Sequence, residues 1–191
     1  MKRLLMVISL AFLLCLVLAA VSANTLADEK KEQERFIGNV IGAPGSKAGE
    51  KGKLNMIVDR WTTHEEVKQL YNLIKDDDIN AMLKAIRKKT VGYIWFTSSA
   101  RFPLNIASTK DTEKGRLIRL IIEHPILPGE IYIPLPEPDD QFGAVEFTLS
   151  ESNEGEGYVF GRVTISINED GTIGFKPLAS IKQMLITVRK K

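Results

Sequence analysis

The sequence predicts an α+β fold, mostly antiparallel β, with about eight or nine strands in a sandwich or partly closed barrel and one αα-hairpin near residues 62–89. Three observations predict it. After Thr90 apolar and polar residues alternate in one short segment after another, the pattern of half-buried strands. Most turns between these segments are short, and parallel pairing would need crossovers of a dozen residues or more, so neighbours pair antiparallel. Between Thr62 and Lys89 the apolar period changes to that of an amphipathic helix, twice in succession.

The chain opens on Met1-Lys2-Arg3, continues through an apolar run from Leu4 to Ala20, and reaches small residues at Val21-Ser22-Ala23. This order of charged, apolar and small residues predicts a secretory signal peptide (1–23) cleaved after Ala23, hence an exported protein, secreted or periplasmic. A retained anchor is the alternative, but the run is only about 17 residues, the lower edge of a bilayer span. Cys15 lies inside the apolar run after Leu13-Leu14, without the small residue that precedes a lipidated cysteine. Cleavage takes two of the 26 basic side chains and leaves them equal in number to the 24 acidic ones. It also takes Cys15, the sole cysteine, so disulfides and thiol chemistry are excluded from the mature chain. A neutral chain lacks the global field that gathers nucleic acid. The remaining chain of about 168 residues is long enough for one core without covalent staples.

Asn24 to Arg35 is polar and reads as a flexible lead-in, which leaves 36–191 as a single β-rich domain. Phe36–Ile41 reads as a short strand, and Gly42–Gly52 as a loop whose glycines lack phosphate-loop spacing. Leu54, Met56 and Val58 alternate with polar or edge positions and predict the next strand. Thr62 or Thr63 can then cap a helix, with Glu65 or Glu66 as the capping-box partner. Val67, Leu70, Tyr71 and Ile74 line one face of that helix. Asp76-Asp77-Asp78 ends it and caps a second helix with Ile79, Met82, Leu83 and Ile86 on one face. Arg87-Lys88-Lys89 suits the negative end of that helix's dipole. This basic run and the helical pair invite a helix-turn-helix reading, which export and neutral charge oppose.

Val91–Thr97 reads as a strand with Tyr93 and Trp95 on one face and Ile94 and Phe96 on the other. Leu104–Ser108 is a shorter strand, and Arg116–Glu123 follows with Ile118, Leu120 and Ile122 on one face. Pro125, Pro128, Pro134, Pro136 and Pro138 surround Ile131-Tyr132-Ile133, which suits an edge segment or covering loop rather than a central strand. Val145, Phe147 and Leu149 predict a strand, Asn153–Gly157 a turn, and Tyr158–Asn168 the returning strand. Asn168–Gly171 is a second turn signal before Ile173 and Phe175, and Met184, Ile186 and Val188 mark a last strand.

Catalytic signals are weak. His64-Glu65-Glu66-Val67-Lys68 starts like a zinc-protease helix, but Lys68 stands where the second histidine belongs. His124 is the only other histidine. Ser98-Ser99 lack a nucleophile-elbow context, and the paired carboxylates all fall in turns or caps. Asn153–Gly157 and Asn168–Gly171 lack the alternating oxygen ligands of a calcium loop. The remaining candidates are aromatic. Trp61, Tyr93, Trp95 and Phe102, with Arg101 among them, suit the lining of a pocket for a small apolar or amphiphilic ligand. The ordinary alternative is that these rings are core.

The segments Ile57-Val58-Asp59-Arg60-Trp61-Thr62, Val91-Gly92-Tyr93-Ile94, Gly155-Glu156-Gly157 and Asp170-Gly171-Thr172-Ile173 occur in this order. In order and spacing the chain after Gly52 resembles a group of secreted bacterial proteins to which no activity is assigned. The resemblance implies export and a bacterial source, and supplies no site.

These readings combine into an exported, non-enzymatic β-rich domain that binds a small apolar ligand through Trp61, Tyr93, Trp95, Arg101 and Phe102. An envelope protein–protein interaction or scaffold module is the first alternative. A cofactor-free isomerase or hydrolase with polar groups at Asp59, Arg60, Arg101 or His124 in a barrel mouth is the second. No cofactor, metal ligand or catalytic residue is assigned, no nucleic-acid partner is expected, no transmembrane segment is expected after signal removal, and the oligomeric state is left open.

Overall fold

The computed structural model describes residues 33–41, 51–76, 78–97, 99–123, 142–168, 171–177 and 184–191. The signal peptide, Cys15, the 42–50 loop, His124 and the proline-rich connection lie outside the described residues. Nine strands form one antiparallel sheet: β1 (Glu34–Ile41), β2 (Lys51–Val58), β3 (Gly92–Phe96), β4 (Phe102–Thr112), β5 (Gly115–Ile122), β6 (Phe142–Leu149), β7 (Glu154–Ile167), β8 (Ile173–Pro177) and β9 (Met184–Lys190). Two helices, α1 (His64–Lys75) and α2 (Ile79–Arg87), stand between β2 and β3.

The sheet closes on itself. Each of β1 to β7 pairs with the next in sequence or, between β2 and β3, across the helical hairpin. β9 then pairs with both β7 and β1. The result is an eight-stranded closed barrel of β1–β7 and β9. β7 is long enough to serve two partners on one edge: residues 154–159 pair with β9 and 163–167 with β8. β8 is therefore an extra strand outside the closed ring.

Alternation decides what fills the barrel. Phe36 and Val40, Leu54, Met56 and Val58, Ile94, Leu104 and Ala107, Ile118, Leu120 and Ile122, Val145, Phe147 and Leu149, Val159, and Met184, Ile186 and Val188 are buried in one cluster. Every strand of the ring contributes to it, and Phe36 meets Phe147 edge-on at 5.4 Å between ring centres. The axis is packed by side chains, as in small barrels generally.

The opposite faces of β4 to β8 form a second cluster with the helices. Val67 and Leu70 of α1 and Met82, Leu83 and Ile86 of α2 pack over Ile106, Ile121, Phe142, Ala144, Phe160, Val163, Ile167 and Ile173. The hairpin thus covers one outer side of the barrel and does not enter its end. Two bulges allow both sides of these strands to be apolar. The β4–β5 register slips between Leu104 and Ile106, so Leu104 and Ala107 face inward while Ile106 faces the helices. The β6–β7 register slips between Phe142 and Ala144, and brings both Phe160 and Val163 under the hairpin.

Several boundaries differ from the sequence expectation, among them the start of β2 at Lys51, inside the expected Gly42–Gly52 loop. β1 begins at Glu34, so the last two residues of the expected lead-in belong to the barrel. β4 runs through Thr112 rather than ending at Ser108, because its polar second half pairs with β5 at an exposed hairpin. Gly155-Glu156-Gly157 lies in β7 rather than in a turn; the turn is Ser150–Glu154, with Asn153 at φ 62°. Both glycines face inward where β7 presses on β6. A Cβ at Gly155 would stand 1.9 Å from the Thr148 carbonyl oxygen, and one at Gly157 1.9 Å from that of Glu146.

Candidate functional site

The end of the barrel where β1 starts and β2 ends carries charge on inward positions. Glu34 precedes Phe36 on the inward side of β1, Arg116 precedes Ile118 on β5, and Lys190 follows Val188 on β9. The Arg116 guanidinium donates two bonds of 2.8 Å to the Glu34 carboxylate, and Lys190 Nζ lies 2.9 Å from it. Trp61 Nε1 donates to Glu34 Oε1 at 3.0 Å, and the Arg116 guanidinium sits over the Trp61 ring at 4.7 Å. Burial alone would raise the Glu34 carboxyl, but the hydrogen bonds and charges of Arg116 and Lys190 outweigh it and hold the pKa down to about 2. Every partner here is engaged with another, so the cluster is a stopper over the apolar core rather than an open binding site.

The chain reaches Trp61 by crossing this end. Asp59 and Arg60 donate backbone N–H bonds to the Val91 carbonyl, and Thr62 exchanges bonds with Ala107: its N–H donates to the carbonyl and its Oγ1 accepts from the amide. The same segment sets the hairpin. Thr63 caps α1 in a capping box with Glu66. Glu66 also accepts from Arg60 at 2.9 and 3.1 Å and from Lys89 at 3.0 Å, which joins the start of α1 to the end of α2. The Arg60 hydrogen bond is the chief reason that the Glu66 pKa falls to about 2, against the effect of burial.

The five aromatic and cationic residues expected to share a pocket do not surround a common space. Trp61 belongs to the stopper. Phe102 packs against the barrel core, as does Phe96. Tyr93 and Trp95 point outward from β3, Tyr93 being 39% exposed, and Arg101 stacks on Trp95 at 4.5 Å. The parity of β3 fixes this split: Ile94 takes the inward position, so its two neighbours face out. Nor do the polar groups named for catalysis meet. Arg60 is bound to Glu66, Arg101 to Trp95, and Asp59 accepts from Gln33. His64 heads α1 and rests against Gly171. Among the described residues no three His, Cys, Asp or Glu side chains are placed to hold a metal ion. No described helix is long and apolar enough to cross a membrane.

Shallow surface depressions occur among the described residues. One of about 400 Å³ lies beside the β4–β5 hairpin, lined by Thr112, Glu113, Lys114, Leu117 and Thr148. Another of about 380 Å³ lies between Ser108, Lys110 and Arg119 and the turn at Gly171-Thr172. Neither contains the expected aromatic residues.

The wall of the barrel away from the two helices, β3-β2-β1-β9, is the surface that sequence patterns left unread. Its outward positions are Tyr93 and Trp95; Lys53, Asn55 and Ile57; Arg35, Ile37, Asn39 and Ile41; and Leu185, Thr187 and Arg189. Neighbouring β7 adds Glu154, Glu156 and Tyr158. Four large apolar side chains of the described residues stand exposed, and all four are on these strands: Ile41, Tyr93, Tyr158 and Leu185. In sequence each is an ordinary outward member of an alternating strand; only ring closure shows that they share one side.

Comparison with known proteins finds no matching family model, no matching curated protein and no matching solved structure.

Proposed function

We propose that the protein is an exported, non-enzymatic interaction module that engages a partner protein on the outer wall of the barrel. The observation that carries this reading is the distribution of aromatic groups. The axis is packed by side chains from all eight strands of the ring, whereas Tyr93 and Trp95, with Arg101, stand on the outer wall. Tyrosine, tryptophan and arginine on an open surface are the residue types that anchor protein interfaces. The packed axis favours this reading over a carrier of a small apolar ligand, which needs an enclosed space. The signal-peptide pattern at 1–23 and the resemblance to secreted proteins support export.

The test is a photo-crosslinking residue at position 93, with a control at Lys110 on the polar end of β4. The expected result is a discrete protein adduct in the envelope or secreted fraction from position 93 alone. Equal labelling from both positions, together with thermal stabilisation by a lipid, quinone or sugar, would overturn the reading in favour of a small ligand.

A further inference from the structure

We infer that the seam between β1 and β9 is the contact of a two-fold symmetric homodimer. This goes beyond the proposed partner surface, which is centred on β3. The inference starts from the cross-strand rows on the outer wall. In one row Lys53 lies beside Asn39, Asn39 beside Thr187, and Thr187 beside Glu156. Read from β2 to β7, that row is cation, polar, polar, anion. In the next row toward the 42–50 loop Lys51 is the β2 position, and the three columns from β1 to β7 are apolar. Leu185 pairs with Tyr158, and Ile41 follows the Val40–Ile186 pair, which puts it beside Leu185. Ile41 is 40%, Leu185 38% and Tyr158 46% exposed, so three of the four exposed large apolar side chains adjoin one another.

The two rows nearest the loop are complementary to themselves. Consider a two-fold axis in the plane of contact, parallel to the strands and midway between β1 and β9. It sets each column of one copy against the column equally far on the other side in the second copy. Lys53 then faces Glu156 and Glu156 faces Lys53, a charge match made twice. Asn39 faces Thr187, and Ile41 faces Leu185. The aliphatic pair lies next to the axis, where two convex walls come closest. An isologous interface requires this reciprocity: if residue i meets residue j, then j meets i. The other two rows agree in part: Asn55 meets Glu154 and Ile37 meets the aliphatic stem of Arg189, whereas the last row sets Arg35 against Lys191, a like-charge pair at the end of the face.

The size fits a reversible dimer. Four strands at a spacing of about 4.8 Å and four rows at about 6.8 Å give a face of roughly 500 Å² per copy, near the lower limit for a specific interface. The same spacing separates the intramolecular from the intermolecular reading. β2 and β7 are three strand spacings apart, about 14 Å, which is too far for Lys53 and Glu156 of one copy to form an ion pair.

Sedimentation equilibrium of the purified protein over a range of concentrations tests this. Wild type is expected to move from monomer to dimer, with no larger species. Leu185→Asp is expected to abolish the dimer while leaving the melting temperature within a few degrees, because position 185 is on the outer face. Lys53→Glu and Glu156→Lys are each expected to weaken the dimer at least about ten-fold, and the double charge swap to restore it to within about three-fold. A protein that stays monomeric at every concentration overturns the inference. So does a dimer indifferent to Leu185→Asp, or one that the double swap fails to restore. The adduct from position 93 is read independently, so loss of the dimer and loss of the partner surface are separate results.

Discussion

The side-chain amide of Asn105 donates to the Lys89 carbonyl at 3.0 Å, from a bulge in β4 to the end of the second helix. The same Nδ2 reaches the Ile86 carbonyl at 3.4 Å, and Oδ1 accepts from the Glu123 amide at 2.7 Å. Asn105 is 1% exposed, the single buried polar side chain among the described residues. It satisfies the Lys89 carbonyl just past the helix C-terminus and gives the Ile86 carbonyl a further donor, and does so from the position where the bulge frees a residue of the ladder. The bulge and the cap are one device that fixes the hairpin to the barrel.

Asn105→Leu therefore takes the partner from the Lys89 carbonyl and the Glu123 amide in a dry interface, while the Ile86 carbonyl keeps the Lys89 N–H at 3.0 Å. The expected cost is about 2–4 kcal/mol in urea unfolding. Asn105→Asp keeps the acceptor for Glu123, loses the donor and buries a charge, and is expected to do no better. A loss under about 1 kcal/mol for the leucine variant would show that the hairpin is held by its apolar face alone.

Glu66 is the second fastening, at the same end of the hairpin, where Lys89 also pairs with it. Its carboxylate closes the capping box with Thr63 and accepts from Arg60 and Lys89. Glu66→Gln can keep a capping bond but not the two charge pairs. We expect a loss of about 1–2 kcal/mol, discounted because Arg60 is 40% exposed. Thr63→Ala removes the cap and keeps the pairs, at about 1 kcal/mol. The double variant should cost close to the sum, since Thr63→Ala removes the bond to the residue-66 amide and Glu66→Gln removes the charge pairs.

The strands and the hairpin were legible because their apolar residues repeat with the right period. The helical period places Val67, Leu70, Met82, Leu83 and Ile86 on apolar faces, and all five are buried. Ring closure was not legible, because it depends on β9 pairing with β1 across the whole chain, which no local pattern records. The stopper was half legible. Arg116 stands two residues before Ile118 and Lys190 two after Val188, so a cation occupies an inward position on each strand. Glu34 was hidden in the charged stretch before Phe36, where composition suggested a tail. The aromatic site was misread because neighbouring rings in sequence, Trp95 and Phe96, alternate to opposite sides of the wall.

Gly157 faces inward at a point where β6 and β7 run too close for a side chain. A Cβ there would meet backbone, the Glu146 oxygen at 1.9 Å and Phe147 Cα at 2.5 Å. Backbone in the middle of a closed ring cannot move aside cheaply, so Gly157→Ala is expected to cost about 3 kcal/mol or more. Gly174 on β8 is the contrast. Its nearest obstruction is the Ser166 hydroxyl at 2.7 Å, the end of a side chain that can rotate. Gly174→Ala should cost less than about 1 kcal/mol. Equal losses at the two positions would argue that β6 and β7 can separate without opening the barrel.

Acid should loosen the barrel mouth in a defined window. The Glu34 carboxyl is held at about 2 in the folded chain, below the ordinary value of 4.5. Between those values the unfolded chain binds the proton more readily than the folded one, so stability falls as pH falls. The contribution is complete above about pH 5 and disappears as the pH drops through about 2, with a full size on the order of 3 kcal/mol. Glu34→Gln removes the titration. At neutral pH it leaves Arg116 and Lys190 against a neutral amide and is expected to be less stable than wild type by about 2–3 kcal/mol. Near pH 2 the wild-type carboxyl is about half protonated in the folded chain and most of its contribution is gone, so the two proteins should unfold at similar urea concentrations. Urea midpoints for the pair at about pH 7, 4 and 2 measure this directly, with Glu66 titrating equally in both. A gap that stays constant across that range would place the stabilising role of Glu34 in its packing beneath Trp61 and not in its charge.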